Sequence, residues 1–445
     1  MRRLYLPLEI VVREFDSKVL LACEAAKNGW IVRVGPKREI ARAIDKYGPG
    51  VVLVKSLTES EAIQFSAYRR KGCSVVSLDE EGVVTYPEFL TSSIRYSSST
   101  TSLADAVFFW GKEQQEHFNV ALPEEKSKGL VTGSPRVDFW KNYAGAVYSS
   151  KAEDLKKSYG DYIFFATSFG IANHFQGGNV GLTSTLALFP RLPNHLKKFV
   201  VNQWLFNRIV FEEYLEVIDD LANELAKHDL NLVIRPHPSE SEDEWLSLSS
   251  RHRNVFVVYE GSVTAWILGA HSLVHFKSTT ALEAYFLGTP CVTYVPSTPK
   301  AFDRFELELP NAVSKVFRTR EEFINACISE TPWKLEFGKA NVIDNWIYDL
   351  NGSASNNIVS ALNNYGHELG FRSGRTGALE IFGPLKTLIR SMVSQNKRYG
   401  KHKTEGMDIG IASQIVSEYN RLNSSNVMLK QLGQLFTLGS EIFNE

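Results

Sequence analysis

The chain has 445 residues, 44% hydrophobic and 22% charged, enough for two or three domains and unlike a disordered, collagenous or coiled-coil protein. Lys and Arg total 49 against 50 Asp and Glu, a net charge of −1, so no global charge argues for nucleic-acid binding. Cys23, Cys73, Cys291 and Cys327 stand far apart without a C-x-x-C pair, so neither a zinc site nor a disulfide framework is indicated, and a reducing compartment is expected.

The opening segment, MRRLYLPLEIVV, holds Glu9 and lacks the apolar run and cleavage site of a signal peptide, so it reads as a first strand. No apolar stretch reaches the ~18 residues of a membrane span. Beyond it, short apolar runs alternate with helix-period segments, the pattern of parallel sheets joined by crossover helices. The predicted strands of the first third are Leu4–Ile10, Ile31–Val34, Val51–Val54, Ser74–Leu78, Ala106–Trp110 and Gly129–Thr132. Between the first two, Phe15, Val19, Cys23 and Ala26 repeat at helical spacing and Gly29 supplies the stop. This gives a first Rossmann-like domain over residues 1–145.

The alternation restarts at Tyr162–Ala166 and continues through Leu232–Arg235, Val255–Tyr259, Ser272–Phe276 and Cys291–Tyr294. Helical runs at Arg208–Lys227, Val263–Leu268 and Thr280–Leu287 separate them, giving a second Rossmann-like domain over residues 155–330. The poorly periodic stretch from His174 to Leu205 reads as a long inserted loop. From 331 to 445 the pattern is helical, and Arg372 to Lys403 contains eight basic residues against the single acid Glu380, leaving the rest of the chain near −8. The expected fold is α/β, two Rossmann-like domains facing a central cleft plus a helical C-terminal extension, with ligands at the C-terminal ends of the strands.

Four strand ends carry chemistry. Asp79, Glu80 and Glu81, followed by Gly82, repel one another unless one is protonated or a cation is near, which suits a general base; a solvated acidic turn is the alternative. In Arg235-Pro236-His237-Pro238 two prolines fix the backbone on both sides of one imidazole, which suits an acid or a phosphate ligand; a tight turn whose His caps a neighbouring carbonyl is the alternative. Lys277, Ser278, Thr279 and Thr280 open a helix, where hydroxyls and free N–H groups form an anion cradle, or cap the helix with Glu283 in its first turn. Glu260 after Val255–Tyr259 suits a ribose, or is a surface turn. No G-x-G-x-x-G, P-loop, H-E-x-x-H or D-x-D pair occurs, so no metal site or cofactor is expected.

The order of these segments resembles bacterial sialyltransferases and polysialyltransferases of the GT-B fold, whose acidic–acidic–Gly, His-Pro and Ser-Ser/Thr motifs correspond to Glu80-Glu81-Gly82, His237-Pro238 and Ser278-Thr279. Tyr5-Leu6-Pro7-Leu8-Glu9, Arg13-Glu14-Phe15, Leu78 to Gly82 and Gly133-Ser134-Pro135-Arg136-Val137-Asp138 are similar to bacterial surface carbohydrate biosynthesis proteins, a likeness running from about residue 4 to 362. The resemblance implies a metal-independent glycosyltransferase. It would move a 2-keto-3-deoxy acid sugar, such as sialic acid, Kdo or a related nonulosonate, from a CMP-activated donor to an oligosaccharide or lipid-linked glycan acceptor. Its first domain is on the acceptor side and its second binds CMP. It makes Glu80 the acceptor base, with Glu81 and Asp79 as alternatives in an ambiguous three-acid frame. His237 assists the departure of CMP, Ser278 and Thr279 bind its phosphate, and Glu260 meets the ribose. The sugar carboxylate needs a cation or hydroxyl, for which Arg13, Lys18 and Arg136 are candidates. Inversion or retention is left open.

Two other functions remain. A CDP-glycerol- or ribitol-type polyol-phosphate transferase of GT-B fold resembles the chain at Arg235–Pro238, and a non-catalytic nucleotide- or glycan-binding subunit would keep the fold without needing all three acids. A cytoplasmic location is expected, with peripheral contact at the inner face of the membrane. Leu385, Leu388, Ile389, Met392 and Val393 form an apolar helical stripe flanked by Lys386, Arg390, Lys397 and Arg398, suited to anionic lipid or to packing on the protein body.

Overall fold

A computed structural model describes residues 2–83, 95–180, 182–183, 186, 194–329, 340–368 and 407–440. The chain forms two compact units, one of residues 1–82, 91–139 and 344–445, the other of residues 83–90 and 140–343. The basic stretch 372–403 lies outside the described residues.

The first unit is built on an eight-stranded sheet. Its strands are β1 (Arg2–Leu8), β2 (Trp30–Pro36), β3 (Val51–Val54), β4 (Ser74–Leu78), β5 (Ala106–Phe109) and β6 (Gly129–Val131), all parallel. The second unit holds β7 (Tyr162–Ala166), β8 (Asn231–Arg235), β9 (Val255–Val257), β10 (Ser272–His275), β11 (Cys291–Tyr294) and β12 (Lys315–Phe317), also parallel, in the order β12-β11-β10-β7-β8-β9. The last two strands, β13 (Met428–Leu432) and β14 (Leu435–Gly439), form a hairpin that joins the first sheet antiparallel to β2, giving the order β13-β14-β2-β1-β3-β4-β5-β6.

The predicted strands exist, four of them with the expected ends and the others with ends shifted by one or two residues. Three expectations change. The region after 331 is not helical throughout: after the helices Ala340–Trp346, Ala354–Glu368 and Ile409–Asn423 comes the hairpin, turned by Gly433 at φ 60°. β12 is an edge strand too short to stand out. The stretch 174–205 is not all loop, since the helix that begins at Asn194 runs to Lys227, starting directly after Pro193. On that helix Phe199, Phe206, Val210, Tyr214, Val217, Leu221 and Leu225 keep helical spacing and are buried in the second unit's core.

The helix Val11–Lys27 buries Phe15, Val19, Cys23 and Ala26 as their spacing requires, but it is covered on other sides too. Phe15 packs edge-on against Phe436 at 5.1 Å, and the Tyr419 hydroxyl donates to the Glu24 carboxylate at 2.6 Å. This double covering buries the polar residues of its first turns as well, including Glu14 and Lys18.

Candidate functional site

In the first unit the parallel register brings the C-terminal ends of β1, β3, β4, β5 and β6 to one edge of the sheet. The three acids that follow β4 each meet a cation there, which removes the repulsion the sequence posed. Asp79 pairs with Arg95 at 2.6 Å; Glu81 pairs with Arg13 and, at 3.3 Å, with Arg95; Glu80 lies 3.3 Å from the Lys18 ammonium. Backbone contacts fix the loop: Glu80 N–H donates to the Lys55 carbonyl (3.2 Å), Trp110 Nε1 to the Asp79 carbonyl (2.6 Å), and Arg136 to the Glu80 carbonyl (3.0 Å). At Gly82 a Cβ would lie 2.6 Å from the Gln114 amide and would have to displace it from its bond with Trp110 N–H.

The acids differ electrically. Burial works to raise the Glu81 carboxyl, but the Arg13 and Arg95 guanidinium groups hold it down at about 2, so it is a fixed anion. Glu80 goes the other way. Burial, with the nearby Glu14 charge adding to it, pushes its carboxyl above the ordinary range against the pull of Lys18 and Arg136. Its side chain is 9% exposed and lines a small cavity with Ser17, Lys18, Leu78, Pro135 and Arg136. Arg13 and Arg136 therefore stand at the same edge as the three acids, both bonded within it.

In the second unit Ala166, Arg235 and His275 lie in register across β7, β8 and β10, so the segments following them leave the sheet at one edge. His237 is exposed there; its Nδ1 meets the Ser239 hydroxyl at 2.7 Å and its backbone N–H donates to Thr167 Oγ1 at 3.1 Å. Ser168 donates to the Phe276 carbonyl, joining the ends of β7 and β10. Ser278 Oγ accepts from Thr280 N–H (3.3 Å) and the Thr280 hydroxyl (2.8 Å) at the start of the helix Thr280–Leu287, and Thr279 occupies the N-cap. Ser278 accepts these two bonds with its oxygen and keeps its own proton to donate.

The remaining expected residues have defined places. Arg235 donates to the carbonyls of Glu260 (3.1 Å) and Gly261 (2.9 Å), bracing the turn after β9; burial lowers it to about 10. The Glu260 residue is exposed, and Pro238 is half-buried beside His237. Lys277 sits at φ 54° with its ammonium over the Phe206 and Phe276 rings (5.1 and 5.6 Å), and burial lowers it to about 7. Glu283 is buried and accepts from the Thr264 hydroxyl on a neighbouring helix.

Several organising residues escaped the sequence reading. Glu240 is buried and accepts from Thr167 Oγ1 (2.7 Å), Phe169 N–H (2.6 Å) and Trp245 Nε1 (3.2 Å), tying the loop after β7 to the His237 loop. A Cβ on Gly170 would collide with the Ser239 hydroxyl, so the two loops touch. The only local signal was an acid three residues after His237. Asp138, in the Gly133–Asp138 motif, accepts from Ala354 N–H (3.0 Å) and Ser355 N–H (2.7 Å), capping the helix Ala354–Glu368 from 216 residues away. Nothing local could announce that.

Burial raises Glu240 to about 7, above its ordinary 4.5, so the folded chain binds this proton more tightly than the unfolded chain. Its contribution is present below about 4.5 and lost as pH rises through 7. Glu240→Gln is expected to remove about 1–3 kcal/mol of stability loss across that window. Denaturant melts of both proteins at pH 5 and 8 check this.

No protein-family model matches the chain, and no curated protein matches it. Among solved structures, a Listeria monocytogenes protein described as a UDP-N-acetylglucosamine 2-epimerase aligns over 84% of this chain and 99% of its own at 13% identity and TM-score 0.50. The UDP-GlcNAc 2-epimerase of Methanocaldococcus jannaschii aligns over 81% and 99% at 12% identity and TM-score 0.49. The wall teichoic acid polymerase TagF aligns over 66% and 69% at 14% identity and TM-score 0.42. At such identities the Listeria likeness speaks to fold alone: the chain has an α/β fold of GT-B type with two Rossmann-like parallel-sheet units.

Proposed function

We propose that this protein is a glycosyltransferase that moves a 2-keto-3-deoxy acid sugar from a CMP-activated donor to a glycan acceptor in surface polysaccharide synthesis. The observation that carries the reading is the edge formed by β8, β7 and β10, where His237, Ser239, Ser168, Ser278 and Thr279 gather beside a helix N-terminus. A monoester phosphate leaving with CMP needs such hydrogen-bond donors. The acceptor base is assigned to Glu80, because a proton acceptor near neutrality must have a raised carboxyl, whereas Glu81 at about 2 holds a proton too weakly. As the acceptor oxygen bonds to C2 of the sugar, its proton passes to Glu80. The electron pair of the breaking C2–O bond leaves with the CMP phosphate, held by His237, Ser278 and Thr279. Arg13 and Arg136 stand at the acceptor edge for the sugar carboxylate, and the basic stretch 372–403 would draw the enzyme to anionic lipid bearing the acceptor.

A thermal-shift panel of CMP, UDP, GDP and CDP-glycerol, with and without EDTA, tests the reading. Stabilisation by CMP that survives EDTA is expected. A preference for UDP or GDP contradicts it, and a preference for CDP-glycerol transfers the site to polyol-phosphate chemistry.

A further inference from the structure

The Lys18 ammonium has three N–H groups and three acceptors inside the first unit: the Pro7 carbonyl at 2.7 Å, Glu14 at 3.0 Å and Glu80 at 3.3 Å. A cation so saturated is poorly placed to take up a sugar carboxylate. Glu14, fully buried, also accepts the backbone N–H groups of Glu9 and Ile10, each at 3.0 Å. Burial opposes its charge, and Lys18 with these N–H groups more than offsets that, so Glu14 stays an anion. Glu80 thus shares the buried Lys18 ammonium with a second, ionised carboxylate.

We propose that Lys18 is a positioning residue that, balanced against Glu14, sets the proton affinity of Glu80; this rests on the reading of Glu80 as the acceptor base. The other charged groups facing Glu80 are Arg13 from the same helix and Arg136, whose guanidinium binds the Glu80 carbonyl, while its neighbours Asp79 and Glu81 are neutralised by Arg95 and Arg13. Arg13 also acts electrostatically on both Glu80 and Glu14, but the Lys18 ammonium is in direct ion-pair contact with each, at 3.3 and 3.0 Å. When the acceptor proton arrives on Glu80, the ammonium keeps Glu14 and the Pro7 carbonyl as partners, so the loop is not stranded. When the proton must leave before the next turnover, Lys18 favours the departure and Glu14 opposes it.

The test uses two substitutions with opposite expected signs in the full-length protein. Lys18→Met is expected to move the acidic limb of the kcat/KM profile upward by about one pH unit or more and to lower the rate at neutral pH by roughly 10–10²-fold. Glu14→Gln is expected to move the same limb downward. A purely structural role would lower activity in both and leave the limb in place. A second readout needs no turnover: in protein carrying ¹³C-labelled glutamate, the Glu80 carboxyl signal, assigned by its loss in Glu80→Gln, should titrate higher in Lys18→Met and lower in Glu14→Gln. Glu14→Gln keeps the cation and carries the test where Lys18→Met does not fold. An unmoved Glu80 titration in the folded variants overturns the proposal. Opposite shifts without any nucleotide-sugar turnover uphold the Lys18–Glu80 coupling and count against the transferase reading alone.

Discussion

Glu80→Gln is expected to lower kcat by roughly 10²–10⁴, the contribution of a positioned general base, while the affinity for CMP stays within about twofold of wild type. The two halves of this expectation come from different units. Glu80 belongs to the edge after β4, whereas the groups assigned to CMP belong to the edge formed by β7, β8 and β10. The substitution keeps the shape of the side chain, and Lys18 retains Glu14 and the Pro7 carbonyl, so the fold is expected to survive. Calorimetric titration with CMP beside steady-state kinetics checks both halves. If donor affinity collapses in Glu80→Gln while Ser278→Ala changes nothing, the placing of base and phosphate cradle is wrong.

His237→Ala is the second large effect, again roughly 10²–10⁴ in kcat with CMP still bound. The ring is exposed at the end of β8, where its Nδ1 meets the Ser239 hydroxyl, and Nε2 is the atom assigned to the departing phosphate. The His237 backbone N–H is held by Thr167 and through it Glu240, while the ring Nδ1 also accepts the Ser239 N–H at 3.3 Å, so an unchanged melting temperature in His237→Ala separates loss of the ring from a loosened turn. Parallel measurement of KM separates the cases: a rise in KM with kcat unchanged would make His237 a binding residue only.

What the sequence could reveal follows the range of the interactions. Apolar runs such as Val51–Val54 and Tyr162–Ala166, ended by polar residues, announce parallel strands, and Arg235-Pro236-His237-Pro238 announces a strand end by its prolines alone. The opposite electrical states of Glu80 and Glu81 were illegible. They depend on Arg13, Lys18 and Arg95, which lie between 14 and 68 residues away or within a helix whose far side is covered by Phe436 and Tyr419 from the end of the chain. For the same reason Lys18 reads as a ligand cation in one dimension and is an internal one in three. Glu240 was missed because Thr167 and Phe169 reach it from 73 and 71 residues upstream. The hairpin had its Gly433 turn in plain view, but its pairing partner, β2, is an N-terminal strand.

The most direct test of the central claim is turnover. A CMP-activated 2-keto-3-deoxy acid sugar is incubated with a set of surface-glycan acceptors in EDTA, and free CMP and glycosylated product are followed by mass spectrometry. Stoichiometric CMP and product from the wild-type protein, reduced at least about 10²-fold in both Glu80→Gln and His237→Ala, is the predicted result. Equal turnover in wild type and both variants, or transfer from UDP-, GDP- or CDP-glycerol donors with none from the CMP-sugar, would contradict it.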